Sequence, residues 1–87
     1  MATHNVGVCN NWNGSPGDQV NFTNPSATQT FTISSDPNST WPFTAASPIS
    51  VPPGGATAYL KNPLANAIYY YEVDGCTDMS RKGVTVP

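Results

Sequence analysis

The chain has 87 residues, enough for one domain spanning 1–87 and no more. Only 9% of them are charged, against about 25% in ordinary soluble domains, and the net charge is −2 with Lys61, Arg81 and Lys82 as its cations. So few cations exclude nucleic acid as a partner and disfavour an anionic membrane surface, and no apolar run approaches the roughly 20 residues needed for membrane insertion.

The surface is supplied by Asn, Thr, Ser, Pro and Gly, polar but hardly ionic, a composition common outside the cytoplasm. The Met1-Ala2 start has no signal peptide behind it. The expected setting is therefore extracellular or periplasmic, the chain being the mature form without its leader.

Helical periodicity is absent, and nine prolines interrupt any attempt at it. Short alternating runs recur instead. Asn5-Val6-Gly7-Val8 predicts an opening strand, followed by Cys9 and by Trp12 among Asn10, Asn11 and Asn13. A Ser15-Pro16-Gly17-Asp18 turn precedes Val20-Asn21-Phe22-Thr23, and Asn24-Pro25-Ser26 precedes Thr30-Phe31-Thr32-Ile33. Residues 36–48, opened by Asp36-Pro37-Asn38-Ser39 and holding Trp41, predict a long connection with a short helical turn. Ile49-Ser50-Val51, the Pro52-Pro53-Gly54-Gly55 turn and Ala56-Thr57-Ala58-Tyr59-Leu60 follow. After Asn62-Pro63 come Ile68-Tyr69-Tyr70-Tyr71-Glu72-Val73 and the closing Val84-Thr85-Val86. Such spacing predicts an all-β fold, a small antiparallel or mixed Greek-key β-sandwich of six to eight short strands.

Period-2 alternation assigns the faces. Val20, Phe22, Phe31, Ile33, Ala58, Leu60, Tyr69, Tyr71 and Val73 are expected inward. Asn21, Thr23, Thr30, Thr32, Tyr70 and Glu72 are expected outward, Tyr70 either packing across strands or serving as a recognition platform.

Gly17-Asp18-Gln19-Val20-Asn21-Phe22-Thr23-Asn24 resembles the Gly-Asp-x-Val-x-Phe-x-Asn segment of the cupredoxins, the plastocyanin-like blue-copper domains. Val51-Pro52-Pro53-Gly54-Gly55 resembles that family's proline-glycine turn. Ala67-Ile68-Tyr69-Tyr70-Tyr71-Glu72-Val73 resembles its Gly-x-Tyr-x-Tyr-x-Cys strand, and Gly83-Val84-Thr85-Val86 its closing strand. The likeness runs over residues 15–87. It implies a sandwich whose copper is held by two His, one Cys and a weak axial Met for electron transfer.

Carried over position by position, that ligand set is not preserved. The first His position holds Gln29, the Cys position Val73 and the second His position lies near Cys76. Met79 stands near the axial position, with Arg81 an equal fit. The single histidine, His4, lies outside the matching segments. The expectation is a copper-free domain with no cofactor, in which Gln29, Val73, Cys76 and Met79 are vestigial copper-site positions.

Cys9 and Cys76 match neither a Cys-x-x-Cys redox motif nor a zinc motif. In a cupredoxin-like sandwich the strand beginning at Asp18 climbs to the metal end, near Asn24. An antiparallel strand before the Gly17 turn would start at that end, near Cys9. Cys76 falls in the loop that carries copper ligands, so the resemblance implies a Cys9–Cys76 disulfide.

Other chemistry is thin. His4, close to a terminus expected to be mobile, has no nucleophile motif beside it, and Glu72, Asp74 and Asp78 look like solvated acids. Asp74 and Asp78 with nearby carbonyls are a candidate Ca²⁺ site. Trp12 and Trp41 are candidates for surface recognition of a sugar or protein, Trp41 alternatively capping the core. Asn21-Phe22-Thr23 and Asn38-Ser39-Thr40 match the glycosylation acceptor pattern.

The expected function is a non-enzymatic, monomeric binding or structural module whose partner is an unidentified protein or carbohydrate. Two alternatives stand beside it. One is a metal-handling or electron-transfer protein with an altered site at His4, Cys76 and Met79. The other is a carbohydrate-binding module using Trp12 and Trp41.

Overall fold

Prolines and glycines cut the chain into short extended runs. In the computed structural model, which describes residues 1–78 and 81–87, these runs become eight strands and no helix. They are β1 (Thr3–Gly7), β2 (Trp12–Asn13), β3 (Gln19–Thr23), β4 (Phe31–Ser35), β5 (Ile49–Val51), β6 (Ala56–Tyr59), β7 (Ala67–Asp74) and β8 (Lys82–Val86). Among the described residues no helix is long and apolar enough to cross a membrane.

The strands form two mixed sheets, one ordered β1-β3-β6 and the other β2-β8-β7-β4-β5. The expected all-β class and strand number hold. β1 pairs with β3, and β2 with β8, in parallel; the remaining pairs are antiparallel.

The parallel pairing corrects the expectation of an antiparallel strand before the Gly17 turn. β1 climbs beside β3, with Gly7 opposite Thr23. The chain then crosses at residues 8–11 and descends as β2 in the other sheet, alongside β8. The descending segment thus exists, but its partner is β8 and not β3. Cys9 still arrives at the Asn24 end, because β1 and β3 run the same way.

The inward residues meet between the sheets. Val20, Phe22, Ile33, Val51, Leu60, Tyr71 and Val84 are almost fully buried. The Phe22 ring packs edge-on against Trp12, Phe43 and Tyr71, with centroids 6.2, 5.8 and 6.4 Å away. Val73 is half-buried at the rim of this core.

The connection over 36–48 forms no helical turn, contrary to expectation. Pro37, Pro42 and Pro48 deny it consecutive amide donors. It is instead pinned to the end of β6 by a bridge between Phe43 and Leu60 and by hydrogen bonds from Thr44 N to Tyr59 O and Lys61 N to Pro42 O.

Candidate functional site

Gln29 and Cys76, two of the positions singled out in the sequence, lie at the end of the sandwich beyond Thr23 and Asp74. Cys9 and Cys76 are joined there by a disulfide, with Cα atoms 5.8 Å apart across a sequence separation of 67. Gly75, beside Cys76, has a φ of 114°, and a Cβ there would stand 2.9 Å from Gln29 Nε2 and 3.0 Å from the Phe31 ring. A glycine is therefore favoured by its left-handed backbone and by the nearby Phe31 ring, with the Gln29 amide lying against it. Asn24 fixes the Gln29 segment: its Nδ2 donates to Gln29 O at 2.7 Å and to Val51 O at 2.9 Å.

Gln29 and Cys76 are thus brought to one end of the sandwich. Val73 faces the interior opposite Ile33, two residues before Gly75. Met79 lies outside the described residues.

Sequence reasoning passed over Lys82. Its side chain is 5% exposed, and Nζ lies 3.3 Å from Asp78 Oδ2 in the loop that carries Cys76. Lys82 is paired with Tyr71, so it turns inward one row from Val73. The pattern of Lys82, Val84 and Val86 at period 2 was the available signal.

His4 is not on a loose terminus but in β1. Its Nε2 is 2.8 Å from Asp18 Oδ2 and its ring lies 5.4 Å from Trp12. Asp18 also accepts hydrogen bonds from Ala2 N at 3.0 Å and Ser15 N at 2.9 Å. The His4 bond first, and then these backbone donors, hold the Asp18 carboxyl down at about 2. His4 stands at the Asp18 end and Cys76 at the Thr23 end, with its sulfur in the bridge, so the two do not form a shared metal site.

Among the described residues no group of three or more His, Cys, Asp and Glu converges on a point suited to a metal ion. The candidate calcium ligands include Asp78, which is paired with Lys82. The copper ligand set does not fit these residues: Gln29 and Val73 offer no imidazole or thiolate, and Cys76 is a disulfide.

The aromatic candidates resolve differently. Trp12 is a correction: it is 8% exposed, faces the core, and donates Nε1–H to Tyr71 Oη at 3.0 Å. Burial pushes the Tyr71 hydroxyl up to about 12. Trp41 is half-buried against Phe43, with centroids 5.1 Å apart, and donates to Ala45 O at 2.7 Å, so it caps the core.

Tyr70 points outward as expected but is partly covered. The Arg81 guanidinium lies 4.2 Å over its ring, and a Cβ at Gly83 would stand 3.3 Å from its Cδ1. Arg81 also reaches the buried Asp36 carboxylate at 3.3 Å. One ring face is thus taken up by Arg81, and the half-buried ring also lines a small pocket with Asn11, Ile68, Gly83 and Thr85.

An open cleft of about 520 Å³ lies between Asn38, Ser39 and Thr40 on one side and Ala67 and Ile68 on the other. Ser39 Oγ, one of its lining side chains, accepts from Tyr70 N at 2.9 Å. Of the two glycosylation patterns, Asn38 is exposed in this turn, whereas the Asn21 amide is half-buried and bonded to its neighbours. Comparison of the chain with family models, curated proteins and solved structures gives no match in any of the three.

Proposed function

We propose that the chain is a copper-free cupredoxin-like domain working outside the cytoplasm as a monomeric binding or structural module, and not as an enzyme. The observation that carries this reading is the Cys9–Cys76 disulfide at the end where the resembling family holds copper. A cysteine in a disulfide is no thiolate, and the amide of Gln29 packs on Gly75 beside it. Lys82 occupies the inward position one row from Val73 and is paired with Asp78, so neither side chain adds a metal ligand there.

The extracellular or periplasmic setting is supported by the disulfide, which persists in oxidising compartments, together with the low charge density. The non-enzymatic reading is supported by the engagement of the only imidazole, His4, with Asp18. Among the described residues no hydroxyl or thiol is bonded to its ring.

Titration with Cu(II), followed by an absorbance scan, tests the reading. The protein stays colourless, binding Cu(II) no better than one surface imidazole allows. An intense visible copper–thiolate band overturns the proposal and restores an electron-transfer function.

A further inference from the structure

Within β1, β3 and β6 the outward side chains form hydrogen bonds and carry no ionic charge, the exposed Lys61 following just beyond β6. The register places Thr3, Gln19 and Tyr59 in one row across the three strands and Asn5, Asn21 and Thr57 in the next. Val6, Val20, Phe22 and Ala58 occupy the alternate positions and are buried, so these two rows face away from the core.

The amides on this face are pre-organised. Asn21 Oδ1 accepts from Gln19 Nε2 at 3.1 Å and from Thr57 Oγ1 at 2.9 Å, while Asn21 Nδ2 donates to Asn5 Oδ1 at 3.2 Å. Asn21 therefore uses both ends of its amide to hold its neighbours. Asn5 is left presenting Nδ2–H donors, and Gln19 its Oε1 acceptor, on a surface whose orientation is already fixed. Beside them Tyr59 is 48% exposed, directly across from Gln19.

The chemistry selects a ligand class. An ionic ligand finds no countercharge on these rows. An apolar ligand would strip water from the amides and return no hydrogen bond, which is costly. A neutral sugar chain supplies hydroxyls that both donate and accept, and C–H faces that pack on an aromatic ring. Three strands about 4.8 Å apart, with rows about 7 Å apart, give a surface wide enough to meet a sugar ring and its neighbour.

We propose that this face binds an uncharged polysaccharide, Tyr59 stacking on a pyranose ring while Asn5, Gln19 and Thr57 hydrogen-bond its hydroxyls. The proposal deepens, and rests on, the reading of the chain as an extracellular binding module. It replaces the expectation that Trp12 and Trp41 would serve this role.

The test is affinity electrophoresis through gels containing soluble β-glucan, mannan, xylan or amylose, with polygalacturonate as the anionic counterpart. Pull-down on cellulose and chitin completes the panel. At least one neutral polysaccharide retards or retains the native protein, and polygalacturonate does not. Tyr59→Ala weakens that binding by about tenfold and Asn5→Ala severalfold, with melting temperatures within a few degrees of native because both side chains are exposed. Ile68→Ala, on the other sheet, leaves binding unchanged.

Binding to no neutral polysaccharide, binding only to polygalacturonate, or binding indifferent to Tyr59→Ala overturns the proposal. The copper titration separates the two readings. A colourless protein without glycan binding sinks only this inference, and a coloured copper complex sinks the copper-free reading whatever the gels show.

Discussion

Asp18 anchors the first strand through three donors: the His4 ring, Ala2 N and Ser15 N. Its folded value of about 2 lies below the ordinary 3.8, so the linked stability is fully present above roughly pH 5 and is lost as pH falls toward 2. Asp18→Asn keeps the shape but turns an NH₂ toward donors. It should cost about 2 kcal/mol at pH 7 and flatten the acid limb of the stability curve. Urea unfolding at pH 7, 4 and 2.5 checks this; parallel curves for variant and native protein refute it. At this same scale Trp12 shows why a residue's surroundings in the chain mislead. Its sequence neighbours Asn10, Asn11 and Asn13 suggest a wet site. Its burial is set by Tyr71, a partner 59 residues away that no local composition encodes.

Alternation along a strand is a local property, which is why the faces were legible. Val20 and Phe22 are buried while Asn21 is half-buried and Thr23 exposed, as period 2 requires. Pairing direction is not local. Residues 5–8 carry the pattern of a strand in either orientation, and only the crossing to the opposite sheet at residues 8–11 decides that β1 lies parallel to β3. The positions that the cupredoxin resemblance singles out sit between these cases. Gln29 and Cys76 could be placed at one end from motif order, but the inward Lys82 was masked by its charge. The face assignment predicts unequal costs. Phe22→Ala removes a ring packed on Trp12, Phe43 and Tyr71 and should cost about 3–5 kcal/mol. Thr23→Ala, exposed at the strand end, should cost well under about 1 kcal/mol. Comparable losses in chemical denaturation would contradict the register of β3 in the sandwich.

On the scale of the whole molecule, a domain of 87 residues buries a limited core, and small domains of this kind commonly rely on a covalent staple. The Cys9–Cys76 bridge joins the loop after β1 to the loop before β8, so it ties the two sheets together at one end. Closing a loop with a sequence separation of 67 restricts the unfolded chain by about 4 kcal/mol in the chain-entropy account. One kcal/mol moves the melting temperature of a domain this size by roughly 4–8 °C, so reduction should lower it by well over about 10 °C. The native protein, unfolded in denaturant without reductant, should show no reaction with a thiol reagent, since Cys9 and Cys76 are its only cysteines. After reduction both thiols should titrate. Two reactive thiols in the unreduced, unfolded protein would mean that the bridge does not form. If the unreduced protein shows no thiol but its melting temperature is unchanged once reduction has freed both, the bridge forms but does not hold the two sheets together.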